Sequence, residues 1–442
     1  MASTYRYHDM GTPTLRTKFT YSIWLKRSKL GAIGTIASMW KDGNNHVVLR
    51  FNSNDTLVFY DYSSSSMITE VATNAVFRDT NAWYNIVVAF DSTQGTAADR
   101  TKLYVNGVQQ TSLGTATYGA QNNTPASNVS GTDNYLGARG DGHNYGGLMS
   151  HCHFVDGAVY QASTFGSTDA TTGEWKINTS PTITEYGTNG WFMFKDDASL
   201  TDRSGKSNNF TNQSGTLTQT EDNPSNVFPV FNVILRMAAG LNVDQGNLYS
   251  GGCGANKWRS LYFTQAAKTG KYYHEMKVIG NSGNNYQQIG LTDVDQFNSG
   301  VDEYNFQNNS RGYSYNQNGQ KSNNNSSASY GDSFTTNDII GVATDLTNGK
   351  IYFSKNGTWQ DSGDPTSGST GTGAAYSLAA GYWYSPCFAI YGAADNQSYN
   401  MGNGYFRTNA VASAGTNASG LGIFEYDVPA GYSAWCTKGY NE

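Results

Sequence analysis

Tyr330–Trp359 reads YGDSFTTNDIIGVATDLTNGKIYFSKNGTW. Within it, Asp338–Leu346 (DIIGVATDL) is a short apolar run rich in β-branched residues that closes on Asp-Leu. Gly349–Trp359 runs through Ile-Tyr-Phe into Asn356-Gly357 and out into further strand-like residues. Such runs, bounded by Gly, Asn and Thr, read as strands. Asn-Gly accepts positive φ at both central positions of a type I′ turn, the turn whose twist matches a β-hairpin. The same solution recurs at Thr101–Gln109 (TKLYVNGVQ), in the other half of the chain and in different surroundings. Two separate all-β domains, each with its own hairpin, are therefore expected.

Composition agrees with that reading. The chain has 442 residues, enough for two or three domains with ample core. Disorder is excluded, because it goes with few aromatics, and here aromatics are 14% of the chain. Gly, Asn, Ser and Thr punctuate short runs of Tyr, Phe, Val and Ile, as in a fold of many strands and tight turns. Net charge is −6 with no basic run, which argues against nucleic acid as a partner. The start, MASTYRYHDM, lacks the charged-then-apolar pattern of a signal peptide. Val227–Leu235 (VFPVFNVIL) is the longest apolar stretch and falls far short of the ~20 residues that span a bilayer, so no membrane insertion is expected. Cys152, Cys253, Cys387 and Cys436 are widely spaced, which reads as free thiols made in a reducing cytosol.

In the first half, Phe19–Lys26 (FTYSIWLK) alternates loosely between apolar and polar residues, as a half-buried strand does. His46–Phe51, Thr56–Tyr60 and Trp83–Phe90 are more continuously apolar and suit strands inside a sandwich. No amphipathic helix of useful length is present. This strand order resembles a laminin-G-like, concanavalin-A-like jelly roll. More narrowly, FTYSIWLKRSKLG, FVDGAVYQASTFGSTDATTGEWK and GTNGWFMFKDDASLTDRSGKSNNFT, in that order, resemble a module recurring in virion proteins of tailed bacteriophages, across roughly residues 14–226.

The second half continues with strand-like Gly270–Val278, Gln287–Asp293, Gly312–Lys321 and Ser385–Ile390. Together with Tyr330–Trp359 this succession resembles a SPRY domain over roughly residues 240–405, a bent β-sandwich that binds partners through loops. Asp361–Gly373 (DSGDPTSGSTGTG) departs from the pattern as an apparent flexible insertion. The closing FEYDVPAGYSAWC resembles the tail that follows such modules in the same phage proteins, with Trp435 where Leu is usual. Its aromatics are expected to pack back on the sandwich. The fold expectation is thus all-β: two antiparallel β-sandwiches, laminin-G-like over 1–226 and SPRY-like over 240–405. A linker covers 227–239, and a C-terminal linker and aromatic tail 406–442.

No catalytic residue is assigned. A glycoside hydrolase needs two carboxylates at a set separation. The E-x-D-x-x-E run of concanavalin-like hydrolases is absent, the glutamates are isolated, and Asp196-Asp197 would point to opposite faces of a strand. His151-Cys152-His153 stands out: on a strand the two histidines share one face while Cys152 joins Leu148 and Phe154 on the other. That pair could ligate a transition metal, but a metal site normally needs three protein ligands, so surface histidines over a buried cysteine is the favoured reading. Calcium is the cation usual at laminin-G-like rims, and Asp141, Asp156, Asp196, Asp197 and Asp202 could supply hard oxygen ligands. They are equally ordinary turn residues. Arg139-Gly140-Asp141 is read as a chance tripeptide.

The SPRY resemblance implies a partner-binding face on loops such as Gln307–Tyr313 and Gly319–Tyr330. Tyr313, Tyr315, Tyr330, Trp359, Tyr382 and Trp383 are the candidate ligand-binding aromatics, since Tyr and Trp combine an apolar face with a polar edge, although some of them must be core and sequence does not sort them. Taken with the resemblance, these residues imply a non-enzymatic virion protein assembled in the host cytoplasm. It would be a tail-associated fibre or adhesin contacting host glycan or protein, or else a capsid decoration protein. Its partners would be other virion proteins and further copies of itself, as a trimer or hexamer.

Overall fold

Both Asn-Gly hairpins close as two-residue loops. Val105 pairs Val108 across Asn106-Gly107, and Lys355 pairs Thr358 across Asn356-Gly357. φ is +47° and +79° in the first and +49° and +81° in the second. Each asparagine does the same work: its side-chain oxygen accepts a backbone N–H from the next strand, Asn85 at 2.7 Å and Ile339 at 2.8 Å. A ring packs against each glycine, Trp175 on Gly107 and Tyr426 on Gly357, where a Cβ would collide.

The computed structural model describes residues 5–195, 197–235, 241–244, 246–252, 256–284, 286–297 and 303–441. Cys253 and Asp196 lie outside the described residues. The chain divides into two units, Met1–Gln219 and Thr220–Glu442. Among the described residues the only helical pieces are three-residue turns. None is long and apolar enough to cross a membrane.

The first unit is a sandwich of an eight-stranded and a six-stranded antiparallel sheet. In the eight-stranded sheet, Thr56–Ser63, Asn45–Phe51, Gly34–Asp42 and Asp133–Leu136 lie in that order at the centre, followed by Tyr5–Asp9. The other sheet is centred on Lys18–Arg27 and Trp83–Asp91. Trp83–Asp91 reads as a continuous apolar run because both of its faces are covered. Ile86, Val88 and Phe90 enter the core between the sheets. Val87 and Ala89 are capped from outside by Ala162, Phe165 and Trp175. Phe19 stacks on Phe90 with ring centroids 4.6 Å apart. Burying each such ring contributes about 1.5–3 kcal/mol.

The second unit packs a nine-stranded sheet on a six-stranded one. Lys271–Gly280 is central to the first, flanked by Ile339–Asp345 and Asn396–Asn400. The segment expected to be a linker supplies core instead: Phe228, Val230 and Phe231 are buried. Phe231 packs 4.7 Å from both Phe263 and Phe388. The C-terminal tail is part of the sandwich. Ser433–Ala434 adds to Lys271–Gly280 in parallel, opposite Tyr272 and Tyr273. Trp435 is fully buried, its ring 4.4 Å from that of Tyr272.

One carboxylate fastens this tail. Glu275 is fully buried and accepts the backbone N–H groups of Glu425 at 2.9 Å and Tyr426 at 2.8 Å. It also accepts Tyr273 Oη and Asn400 Nδ2, each at 3.2 Å. Gly341, its partner across the sheet, leaves room for the Tyr273 hydroxyl, which a Cβ there would strike.

Candidate functional site

Four of the six aromatics expected to bind ligand are packing residues. Gly312–Asn316 sets Tyr313 opposite Leu291 and Tyr315 opposite Ile289. All four of these side chains therefore enter the same core. Tyr315 is fully buried and Tyr330 is 8% exposed. The Tyr330 hydroxyl accepts the Phe353 N–H at 3.4 Å. Trp359 is half-buried against the tail cluster. A strand interior takes Tyr for its β propensity as readily as a binding loop takes it for contact, and sequence does not separate the two.

Tyr382 and Trp383 do reach solvent, at 37% and 45% exposure. They follow Gly381, whose φ of +86° turns the chain. The turn is pinned on both sides. Val294 N–H donates to Trp383 O at 2.9 Å, and Tyr384 exchanges two 2.9 Å backbone hydrogen bonds with Ala267. Each ring carries a cation on one face: the Arg311 guanidinium lies 3.9 Å from the Tyr382 centroid, and Lys268 Nζ lies 4.9 Å from that of Trp383. Arg311 is itself held at 2.6 Å by Asp293, whose carboxylate is buried. That pairing, ahead of the Tyr382 and Tyr384 rings, raises the guanidinium pKa above its ordinary value.

The two loops expected to form a binding face do meet. Asn323 Nδ2 reaches the carbonyls of Asn309 at 3.3 Å, Ser310 at 3.0 Å and Gly312 at 2.8 Å. Asn325 Nδ2 reaches Asn308 O at 3.3 Å. Asn308, Ser310, Asn324 and Asn325 are exposed, and Arg311 carries this surface to Tyr382. Sequence named the rings and the loops separately. Asp293, the buried anchor of Arg311, gave no signal in its run QQIGLTD.

The metal candidates are not brought together. Asp141 is gripped by Arg139 at 2.6 and 2.7 Å. Arg139 also donates to Tyr60 Oη at 2.9 Å, while Gly140 lies against Trp40, so the Arg-Gly-Asp tripeptide is folded onto the sheet. Asp156 is 1% exposed and accepts the N–H groups of Thr14 at 2.8 Å and Asn189 at 3.1 Å. Asp202 accepts the N–H groups of Phe192 and Ser204 at 2.8 Å each, and Asp197 pairs Arg203 at 2.8 Å. Among the described residues no group of three or more His, Cys, Asp or Glu side chains is placed to hold a metal ion.

Neither His151 nor His153 is a surface histidine: they are 9% and 2% exposed. Phe192 stacks on His153 with centroids 3.9 Å apart. Tyr186 Oη lies 2.8 Å from His153 Nδ1. Burial, then the neighbouring His151, pushes the His153 pKa well below its ordinary value. The register also slips between Ser150 and His153, with His151 at φ +45°. This bulge moves Met149 rather than Leu148 to the core side of Cys152 and Phe154.

Asp9 and Asp133 form a carboxyl pair that sequence spacing could not reveal. They sit directly opposite on adjacent antiparallel strands, and Tyr135 Oη donates to Asp133 at 2.9 Å. Burial first, then Asp9, raises the Asp133 pKa. A raised carboxyl pKa means that stability is lost as pH rises through it. Asp133→Asn is therefore expected to raise thermal stability at pH 7 by up to about 1 kcal/mol. The gain should vanish at pH 3, which melting curves at the two pH values check.

Comparisons with known proteins follow the same two units. Residues 3–163 match the family described as the concanavalin A-like lectin/glucanases superfamily, and residues 271–381 match the SPRY domain. Among solved structures, the SPRY domain of human HERC1 is similar at 18% identity and TM-score 0.30, covering 38% of this chain and 96% of that one. A native heptameric SAP-like pentraxin from Limulus polyphemus is similar at 16% identity and TM-score 0.30, covering 40% of this chain and 86% of that one. No curated protein matches. The chain thus carries a concanavalin A-like domain followed by a SPRY domain.

Proposed function

We propose that this chain is a non-enzymatic structural protein of a tailed-bacteriophage virion. In this reading it is a tail-associated fibre or adhesin that contacts the host cell surface. The observation that carries the binding role is the exposed Tyr382–Trp383 pair, each ring backed by a cation and pinned to a rigid sandwich. Rigid sandwiches with variable loops are scaffolds for recognition, and several copies convert weak contacts into avidity. The phage assignment is supported by the ordered motifs of the first half and by the closing tail. Glycan or protein on the host, neighbouring virion proteins and further copies of this chain are the partners it implies.

Quantitative mass spectrometry of purified virions tests the assignment. A tail component is expected at low copy number, set by tail symmetry. A count in the hundreds would make this chain a capsid decoration protein, and absence from the particle would remove it from the virion altogether.

A further inference from the structure

Two aromatic surfaces compete as binding sites, and ring geometry separates them. On the outer face of the eight-stranded sheet of the first unit, Trp40 stacks on His46 at 4.8 Å and His46 on Tyr62 at 5.2 Å. Arg139 lies over Trp40 at 5.4 Å. Those faces are consumed by one another, which makes them a cross-strand ladder. Tyr382 and Trp383 have only a cation on one face each, and more than a third of each residue is exposed. Among the described residues no second ring stacks on either of them, which leaves ring surface for a ligand.

We propose that the Tyr382–Trp383 ledge binds an uncharged glycan, with sugar rings laid on the exposed aromatic surface. The proposal deepens the binding role given above and rests on it. An aromatic face accepts the apolar C–H side of a pyranose, and the polar edges of Tyr and Trp accommodate its hydroxyls. Arg311 backs Tyr382 and Lys268 backs Trp383, so two adjacent rings on one turn can take consecutive sugars of a chain. The exposed amides of Asn308, Asn324 and Asn325 offer paired donors and acceptors that match vicinal hydroxyls.

Charge selects against the alternatives. The described turn segments that build the ledge carry two cations, Lys268 and Arg311, and two anions, Asp293 and Asp295. A net charge of zero gives no field to concentrate an anionic polymer. Among the described residues the surround is small and amide-rich, poorer in large apolar side chains than the core of a protein interface.

The test is titration of the full chain with a panel of neutral oligosaccharides, including cellohexaose, maltohexaose and mannohexaose, beside polygalacturonate and heparin. Tryptophan fluorescence and calorimetry provide the readouts. At least one neutral glycan should bind with little dependence on salt. Trp383→Ala and Tyr382→Ala should each weaken it by about tenfold or more, equivalent to 1.4 kcal/mol, and Trp383→Tyr should retain part of it. Both rings are exposed, so unchanged hydrogen exchange elsewhere verifies the fold of the variants. No binding across the neutral panel, binding indifferent to both alanine variants, or binding only to the anionic polymers with a steep salt dependence would each overturn the proposal. Host-cell binding that survives Trp383→Ala and Tyr382→Ala would overturn the ledge while leaving the adhesin role standing.

Discussion

Asp55→Asn is expected to destabilise the first unit by about 3–5 kcal/mol, the cost of stranding a buried charge. The stranded group is Arg27, at the end of Lys18–Arg27, with only 2% of its side chain exposed. Its Nη2 donates to Asp55 Oδ1 at 2.9 Å and to Lys29 O at 3.0 Å, and its Nη1 donates to Phe77 O. The guanidinium stands 4.1 Å from the centre of the Phe51 ring. Asp55 also accepts Gly31 N–H at 2.8 Å and Arg78 Nε at 2.9 Å. Burial alone would raise the Asp55 pKa. Hydrogen bonds from Gly31, Arg78 and Arg27 outweigh it and hold the carboxyl below its usual range. The stability it contributes is therefore present above its unfolded pKa of 3.8 and lost as pH falls through the lower folded value.

Asparagine is the informative replacement, because Asp55 sits at φ +68°, a conformation that Asn tolerates and Ala does not. Denaturant unfolding of the single variant should show the full loss. The double variant Arg27→Met, Asp55→Asn should recover most of it, since with the guanidinium gone no buried charge is left without its counterion. A loss below 1 kcal/mol in the single variant would mean that the guanidinium finds water, and the pair would then be peripheral.

Much of the fold was legible because hydrophobic runs and Asn-Gly turns are local signals. Val105-Asn106-Gly107-Val108 and Lys355-Asn356-Gly357-Thr358 close just as their residues dictate. Arg27 shows the limit. It stood in plain view in the motif FTYSIWLKRS, but its partner lies 28 residues away and is defined by how strands pair, which no local pattern encodes. Tyr313 and Tyr315 could not be sorted into core or binding surface for a related reason: period-two alternation says that they share a face, not which face is inside. At His151 the bulge broke the alternation itself, and a single inserted residue carries no compositional mark. The Tyr382–Trp383 ledge was half visible. Gly381-Tyr382-Trp383 reads as an aromatic turn, whereas the buried Asp293 beneath Arg311 appears only after the strands are paired.

His274 and Glu275 are adjacent on one strand and should give the second unit two opposed responses to acid. His274 is fully buried, and neither ring nitrogen has a hydrogen-bond partner among the described residues. Burial takes its pKa from 6.5 to about 3. The unfolded chain then binds a proton that the folded chain refuses, so stability falls as pH drops below 6.5. At 1.36 kcal/mol per pH unit, that removes about 3 kcal/mol by pH 4.5 and about 5 kcal/mol by pH 3.

Glu275 works the other way. Burial first raises its pKa from 4.5 to about 7, against the lowering effect of the donors from Glu425, Tyr426, Tyr273 and Asn400. The folded chain holds a proton that the unfolded chain has lost, so stability rises as pH falls from 7 to 4.5, by about 3 kcal/mol. The charged and titratable groups around it are Tyr273 on its own strand and Glu425 and Tyr426 from the tail; Gly341 and Asn400 on the flanking strands bring no charge. His274 is the one histidine of the second unit. Between pH 7 and 4.5 the two terms therefore cancel, and the unit should hold nearly constant stability, then weaken below pH 4.5 on the histidine term, joined by Asp364 and Asp427, whose hydrogen bonds hold their carboxyls below the usual range.

The variants separate the terms. His274→Leu removes a buried polar ring without partners, which is itself worth about 1–3 kcal/mol, and exposes the Glu275 response: stability should climb by about 3 kcal/mol from pH 7 to 4.5. Glu275→Gln should do the reverse and fall by a similar amount over the same range. It should also loosen the tail first, because one of the N–H groups of Glu425 and Tyr426 then faces an amide donor. Hydrogen exchange read by peptide mass spectrometry at pH 5 and pH 7 resolves both effects in the full chain. Parallel pH profiles for the wild type and both variants would refute the offset. Tail amides that stay protected in Glu275→Gln would mean that Trp435 and the Ser433–Ala434 pairing, rather than the carboxylate, hold the tail in place.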